Sequence, residues 1–214
     1  MNWHEWIRQS LPRTEIMRGG ATVWEVGAKG LSGDTLGPVM HLHDGASEIF
    51  YFVSGKCRLE VGDTEELFGP GDFVLLPPEV PHNLWNAADE DLLVFWIVAP
   101  HLREAKWRTE NISSKEMQRR VIRARVEVGV GLPSDANIYS RLVTLQPEES
   151  LSERTKAGQE VVLYVTSGQA QVNVGKLSGR LEMNNFVHVP VDTAYVIAAG
   201  MGAASVLVFQ MPGI

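Results

Sequence analysis

HLHDGASEIFYFVSGKCRLEVGDTEELFGPGDFVLLPPEVPHNLWN, the segment from His41 to Asn86, contains the most informative pattern in this sequence. It begins with His41 and His43, whose imidazoles lie on one face of a β-strand because they occupy positions i and i+2. Glu48 follows after four residues, and His82 comes near the end of the segment. Three imidazole nitrogens and one carboxylate oxygen form a ligand set suited to a divalent transition metal ion. The segment therefore predicts a site for one such ion.

The burial of these four side chains favours the same interpretation. A single buried histidine is ordinarily satisfied by hydrogen bonds. Four convergent polar groups inside a small apolar barrel would be costly unless their charge and lone pairs were matched, and a metal ion does this directly. Manganese, iron, nickel, cobalt, copper and zinc remain open as the identity of the ion.

Short β-rich runs separated by glycine and proline begin at Ala21. Turns are predicted at Gly33, Gly55, Gly62 and the Gly69 to Asp72 segment. The run Ile49 to Val53 is apolar at consecutive positions, which indicates that both faces of its sheet are covered. The pattern predicts an all-β protein built as an antiparallel sandwich or barrel. The predicted strands are Thr22–Val26, Val39–His43, Ile49–Val53, Arg58–Val61, Phe73–Leu76 and Leu92–Val98.

The second half of the chain repeats the first at a separation of 113 residues, which indicates a duplicated β-domain. The separation carries turn and strand residues onto one another, and the run Leu92 to Phe95 is echoed by Val206 to Phe209 one residue later. The matched pairs are Gly55 with Gly168, Val61 with Val174, Gly62 with Gly175, Phe73 with Phe186 and Pro77 with Pro190.

The second copy lacks the predicted ligands. In place of His41 and His43 it has Glu153 and Thr155, or Arg154 and Lys156 if the register is shifted by one residue. His82 falls on Tyr195, and only Glu160 resembles a surviving ligand. We therefore expect no metal ion in the second copy, which looks retained for its architecture.

Two segments interrupt the β pattern. Residues 1–20 are predicted to form a helical arm, in which Asn2 caps a short helix and Trp3, Trp6 and Ile7 share one face. Residues 101–125 are predicted to be a linker with a short helix, begun by a capping box of Ser113 and Glu116. The predicted domains are then an N-terminal barrel at 21–100 and a C-terminal barrel at 126–214.

Composition narrows the classes of function. The 19 Lys and Arg against 26 Asp and Glu give a formal charge of −7, which argues against nucleic acid or an anionic membrane as the partner. The clustered arginines Arg119, Arg120, Arg123 and Arg125 are expected to pair with acidic surface residues. The single cysteine, Cys57, is expected to be buried and suits a reducing cytosol. With no apolar run of about 18 residues, we expect a soluble cytoplasmic protein.

The segment from His41 to Asn86 resembles the two motifs of the cupin superfamily. The first motif, His-x-His followed by Glu and Gly, matches from His41 to Gly55, although Gly37 lies only three residues before His41. The second matches at Gly71, Pro77, His82 and Asn86, with Glu79 in place of its inner glycine. The resemblance implies a bicupin, with two tandem double-stranded β-helix barrels and a metal site in the N-terminal barrel only.

Strand alternation points Val39, Phe50, Phe52 and Leu84 toward the same interior as the ligands, either as a substrate pocket or as plain barrel core. A site of three neutral imidazoles, one carboxylate and a divalent ion carries a charge of about +1 and favours an anionic oxygen. The predicted substrate is a small molecule that is partly apolar or aromatic. Glu48 is the tentative catalytic residue, acting as an acid or base if it leaves the metal.

The resemblance to quercetinase-like bicupins favours a metal-dependent dioxygenase-type oxidoreductase acting on an enolisable or aromatic substrate. Fold alone does not select this activity. A non-oxidative isomerase or lyase on a carbohydrate-derived acid, and a binding protein without turnover, remain open. The both-face apolar strands and the aromatic N-terminal segment further predict a homodimer.

Overall fold

The structure is a computed structural model that describes residues 14–18, 20–36, 40–100 and 120–213. The chain divides into two compact units, one containing Ala21–Arg125 and the other Val126–Ile214 with Arg18–Gly20. The secondary structure is nearly all β, which confirms the predicted fold class. Among the described residues, no helix is both long and apolar enough to cross a membrane.

The strands of the first unit form two antiparallel sheets. A six-stranded sheet has the order β1-β2-β8-β3-β6-β9, and a three-stranded sheet has the order β5-β4-β7. The strands are β1 (Thr14–Arg18), β2 (Ala21–Ala28), β3 (Ser47–Ser54), β4 (Cys57–Val61), β5 (Thr64–Phe68), β6 (Asp72–Leu76), β7 (His82–Asn86), β8 (Leu92–Ala99) and β9 (Ile122–Arg125).

The interior of the first unit is a cluster of buried apolar side chains that includes Phe50, Phe52, Leu59, Val74 and Leu84. The six residues of β3 from Ser47 to Phe52 are all buried, so both faces of this strand are covered, as its consecutive apolar residues indicated.

The second unit contains two four-stranded sheets, with the orders β10-β17-β12-β15 and β11-β16-β13-β14. Its interior cluster includes Val161, Leu163, Tyr195, Val206 and Val208. The strands are β10 (Tyr139–Leu145), β11 (Ser150–Arg154), β12 (Gln159–Ser167), β13 (Gln169–Val174), β14 (Leu177–Glu182), β15 (Phe186–Val189), β16 (Ala194–Ala199) and β17 (Ala204–Pro212).

Backbone conformation repeats between the units at the separation predicted from the sequence. Five pairs of residues 113 positions apart both have positive φ angles. Positive φ angles are usual for glycine, but two of these pairs contain other residues: Gly71 matches Asn184, and Glu79 matches Asp192. The turns are therefore repeated in geometry even where glycine is replaced. The other pairs are Gly45 with Gly158, Gly55 with Gly168 and Gly62 with Gly175.

The predicted alignment of the last strand was wrong by two residues. Phe52 pairs with Val94 in the first unit, and its counterpart Val165 pairs with Val206 in the second. Val94 therefore matches Val206, a separation of 112 rather than 114 residues. Because side chains alternate with a period of two, a shift of two residues leaves each residue on the correct face of the sheet. The apolar pattern of the strand therefore does not reveal the error.

The two predicted helices lie outside the described residues. Within the same predicted segments, however, Thr14–Arg18 and Ile122–Arg125 are strands. β9 pairs with β6 and forms an edge of the six-stranded sheet of the first unit. Its arginines pair with acidic side chains as expected, Arg123 with Glu66 and Arg125 with Asp72.

Candidate metal centre

A short backbone pairing and a neighbouring strand bring the predicted ligands together in the first unit. His41 and His82 form an isolated antiparallel bridge, in which each backbone N–H donates to the other residue's carbonyl oxygen at 3.0 and 2.8 Å. The predicted strand around His41 is thus reduced to a bridge at its described end. Glu48 enters from β3, which places three separate segments around one point.

Among the described residues, His41, His43, Glu48 and His82 are the group of side chains that could hold a metal ion. Each contributes one ligand atom, and these atoms lie within 4.8 Å of one another. Glu48 and His82 are buried, whereas His41 and His43 are partly exposed. The cluster therefore has a closed side and a side that solvent reaches, as a site with an exchangeable ligand requires.

The hydrogen bonds of His82 fix the chemistry of its ring. Nδ1 lies 2.9 Å from the carbonyl oxygen of Val80 and donates to it, which leaves the lone pair on Nε2. Nε2 lies 2.6 Å from Oε2 of Glu48, yet it is buried without a hydrogen-bond partner of acceptable geometry. A cation bound to both atoms from one side would satisfy their lone pairs, so the residues present suit a metal ion.

The electrostatics of Glu48 agree with this arrangement. Burial raises the pKa of its carboxyl group, but hydrogen bonds from His43 and His82, and the positive charge of these imidazoles when protonated, outweigh burial and hold the pKa well below its usual range. A metal ion bound to the neutral imidazoles would take the place of that positive charge. The Nε2 atom of His43 lies 3.0 Å from the same carboxylate oxygen. Glu48 is therefore an anion that needs positive charge beside it, which a divalent ion would supply.

A chain of aromatic rings leads away from the ligands. The Phe50 ring is 5.7 Å from the His82 ring and 6.1 Å from the Trp96 ring, edge to face in both cases. Trp96 is only partly buried and packs against the interior cluster. The sequence analysis did not single out Trp96, although counting alternate residues of β8 from the apolar Val94 would have placed it on the interior face.

The residues predicted to line a pocket have different positions. Phe50, Phe52 and Leu84 belong to the interior cluster of the first unit, whereas Val39 lies outside the described residues. Phe52 stacks on Phe68, with ring centroids 5.2 Å apart and planes at 9°. This contact is typical of barrel core, and pocket lining by these residues stays a prediction.

Glu79, which stands in place of the inner glycine of the second motif, keeps the turn that precedes His82. Glu79 has φ of 65° and is exposed, and its N–H donates to the carbonyl oxygen of His43 at 2.9 Å. The left-handed conformation that glycine normally supplies is thus adopted by a glutamate. The turn keeps the position that precedes His82.

The pairing of β11 with β16 decides which residues of the second unit stand in place of the ligands. Glu153 lies opposite Tyr195, as His41 lies opposite His82. Glu153 and Thr155 are therefore the counterparts of His41 and His43, and the alternative of Arg154 and Lys156 is wrong.

Glu160 is not a surviving ligand. Val161 pairs with Val189 as Glu48 pairs with Leu76, so Val161 takes the place of Glu48 and Glu160 takes that of Ser47. The loop after Thr155 is one residue longer than the loop after His43, which moves the carboxylate to the other face of the sheet. There Glu160 accepts from the Gly20 N–H at 2.7 Å and lies 3.1 Å from Nε2 of His188.

Cys57 is fully buried in the first interior cluster, and burial strongly raises the pKa of its thiol. An inert apolar role follows, as the sequence indicated. His4 and His101, which were not predicted as ligands, lie outside the described residues.

Comparison with known proteins supports the fold. Residues 31–98 match the family model described as Cupin domain. No curated protein matches the chain. Protein Ylba from E. coli is 12% identical with a TM-score of 0.70, covering 94% of this chain and 81% of its own.

Two further solved structures have the same fold. A Cupin 2 conserved barrel domain protein from Leptotrichia buccalis is 13% identical with a TM-score of 0.62, covering 99% of this chain and 95% of its own. Oxalate decarboxylase from Bacillus subtilis, described with Mn(II) centres, is 14% identical with a TM-score of 0.64, covering 94% and 72%. The chain thus has a cupin fold, and the residues that match the Cupin domain model include the candidate metal site of His41, His43, Glu48 and His82.

Proposed function

We propose that this protein is a metal-dependent oxidoreductase of dioxygenase type that acts on a small enolisable or aromatic substrate. The observation that carries the proposal is the convergence of His41, His43, Glu48 and His82, whose ligand atoms lie within 4.8 Å of one another beside an aromatic interior. In this proposal the first unit is a metal-binding barrel at 21–100, and the second is a barrel at 126–214 without a metal.

The charge of the ligand set selects the kind of substrate. Three neutral imidazoles and one carboxylate leave a divalent ion with a net charge of about +1. The bound ion would supply a Lewis acid for an anionic substrate oxygen. His41, His43, Glu48 and His82 would hold the ion, and a six-coordinate ion would have room for a bidentate substrate or for a substrate with dioxygen. Manganese is one candidate, because the similar oxalate decarboxylase is described with Mn(II) centres.

The chain's own residues would bind and orient the substrate. His41 and His43 are partly exposed and mark the side from which a substrate would enter. Phe50 and Trp96 would contact an apolar or aromatic substrate body and exclude water from the closed side. Glu48 would accept a substrate proton on Oε2 only after leaving the metal, so its role as a base stays tentative.

The decisive experiment measures metal content and dioxygen consumption in the same preparations. Protein purified without added metal, and protein loaded with each candidate ion, would be assayed with a panel of flavonols and diketones. We expect about one ion per chain and uptake with at least one substrate, both lost in the His41→Ala, His82→Ala double variant. Equal metal in both proteins would refute the site. Metal binding without dioxygen uptake on any substrate would refute the oxidative activity.

A non-oxidative lyase or isomerase is the second candidate, favoured by the likeness to a decarboxylase structure. It predicts substrate turnover under anaerobic conditions with a carbohydrate-derived acid. The apolar residues beside the ligands argue for the oxidative alternative, because a sugar acid would need polar partners. A homodimer is proposed with either activity, and light scattering at a monomer mass would contradict it.

A further inference from the structure

The second unit carries a charged cluster at the place where the first unit carries its metal ligands. Glu153 and Tyr195 occupy the register positions of His41 and His82. The Tyr195 hydroxyl donates to Oε2 of Glu153 at 2.5 Å, and an Nη2–H of Arg141 donates to the same oxygen. Three polar groups thus meet beside the cluster of buried apolar side chains of this unit.

Arg141 points into this interior from β10. Its pairing partner on β17 is Val208, a member of the interior cluster, and Val143 two residues later also packs against that cluster. The Arg141 and Glu153 side chains are 30% and 26% exposed, whereas Tyr195 is 1% exposed. The cluster therefore extends from the buried interior to an end that solvent reaches.

The guanidinium of Arg141 has donors to spare. Arginine carries five N–H donors, and Nε of Arg141 is buried with no hydrogen-bond partner in the described part of the chain. A buried donor left unpaired on a charged group is costly, so an incoming acceptor would gain this interaction. The hydrogen bond to Glu153 uses Nη2, and the paired donors along an edge of a guanidinium match the two oxygens of a carboxylate.

The side chains near Arg141 and Glu153 indicate what the uncharged part of the ligand should be. Val143 and Leu151 lie on the same strand faces as Arg141 and Glu153, pack against the interior cluster and are only partly buried. Both therefore offer some apolar surface on the strand faces that carry the charged groups. Burial raises the pKa of Tyr195, as does Glu153, so its hydroxyl stays protonated and remains a donor to Glu153.

We propose that the second unit binds a small monocarboxylate with an apolar body, held by Arg141 beside Glu153 and Tyr195. The inference does not depend on the metal centre of the first unit or on its proposed activity. It gives the second unit a binding role rather than a purely architectural one.

Benzoate is the probe, with benzyl alcohol as the uncharged analogue, titrated by calorimetry. The full chain would carry His41→Ala and His82→Ala, so that no metal ion in the first unit can bind the carboxylate. We expect one benzoate per chain and no binding of benzyl alcohol. Arg141→Lys keeps the positive charge but loses the paired guanidinium donors that can bind both oxygens of a carboxylate. It should weaken benzoate binding at least about tenfold.

The matched control is Arg154→Lys, because Arg154 is adjacent to Glu153 but exposed and paired with Asp192. It should leave benzoate affinity unchanged. Glu153→Gln is the second variant and should tighten benzoate about threefold or more, because it removes a competing anion from Arg141. The proposal would be overturned if benzoate does not bind or if benzyl alcohol binds equally well. It would also be overturned if neither Arg141→Lys nor Glu153→Gln changes the affinity for benzoate.

Discussion

At the scale of single residues, the site depends on which ring nitrogen of a histidine keeps a lone pair that can bind a metal ion. Nδ1 of His82 donates to the Val80 carbonyl oxygen, and this one hydrogen bond directs the free lone pair of Nε2 toward Glu48. A sequence motif identifies His82 as a ligand but gives no information about the tautomer. That information comes from the backbone around Val80, which holds the acceptor in place.

Glu79 offers a test of residue-scale strain. Its φ of 65° costs a side-chain-bearing residue about 1 to 2 kcal/mol, whereas glycine adds a conformational cost of about 0.5 to 1 kcal/mol through the unfolded state. We expect Glu79→Gly to raise the free energy of unfolding by up to about 1 kcal/mol, measured by urea denaturation. Asp192→Gly in the second unit should act in the same direction, because φ is 51° there.

The matched control for this prediction is Gly45→Ala. Gly45 has φ of 75°, and an added Cβ would meet no atom within 4 Å, so only backbone strain changes. It should lower the free energy of unfolding by about 1 kcal/mol. A stabilised Gly45→Ala or a destabilised Glu79→Gly would show that φ does not govern these turns.

At the scale of strands, the sequence predicted those that are rich in β-branched and aromatic residues and missed others. β3, β4, β6 and β8 were placed to within three residues. β5, with the sequence TEELF, was missed because three of its residues are polar, and its place is set by pairing with β4. Local propensity carries no signal for such a strand, since the partner supplies the stabilisation.

The same limit explains the misplacement of Glu160. The ligand positions of the first unit were predictable because the spacing from His41 to His82 lies within one segment. A constant separation of 113 residues carries Glu48 onto Val161 but His41 onto Arg154, because the extra residue of the second unit falls between Thr155 and Val161. Since one residue exchanges the two faces of a strand, this small difference decided the identity of the counterpart.

The contact between β3 and β5 gives the element-scale prediction. Phe52 is fully buried and stacks on Phe68, whereas Leu67 on the same strand as Phe68 is 68% exposed. Phe52→Ala should lower the free energy of unfolding by about 3 to 5 kcal/mol and Phe52→Leu by about 1.5 kcal/mol. Leu67→Ala should change it by less than about 0.5 kcal/mol.

Chemical denaturation followed by circular dichroism would measure all three variants. If Phe52→Ala does not fold, the Phe52→Leu and Leu67→Ala pair still ranks the two positions. A Phe52→Leu protein as stable as wild type would show that Phe52 borders an open pocket rather than the packed core.

At the scale of the whole molecule, two units share turns and strand pairings while differing in the polar residues of their interiors. The fold therefore does not require the metal ligands, because Glu153, Val161 and Tyr195 stand in three of their positions. The sequence repeat alone suggested that the second unit was architectural. The Arg141 cluster lies where the first unit has two of its metal ligands, and this position is the basis for proposing a different ligand for the second unit.

Register equivalence leads to a prediction for the entire chain. Introducing Glu153→His, Thr155→His, Val161→Glu and Tyr195→His together should create a second metal site, raising metal content from about one to two ions per chain by elemental analysis. The reason is that the paired strands already hold these positions as the first unit holds its ligands. Because Val161→Glu buries a charge, the variant should be markedly destabilised by a chelator.

The matched comparison replaces Glu153→His and Thr155→His by Arg154→His and Lys156→His, so that only two introduced ligands face the interior. Arg154 is the neighbouring residue of β11, exposed and directed away from the interior, so this protein should still hold one ion. If the charge at Val161 prevents folding, the triple variant without it should bind a second ion more weakly than the first. A folded quadruple variant that holds one ion, or an equal gain in the shifted set, would contradict the alignment of the two units.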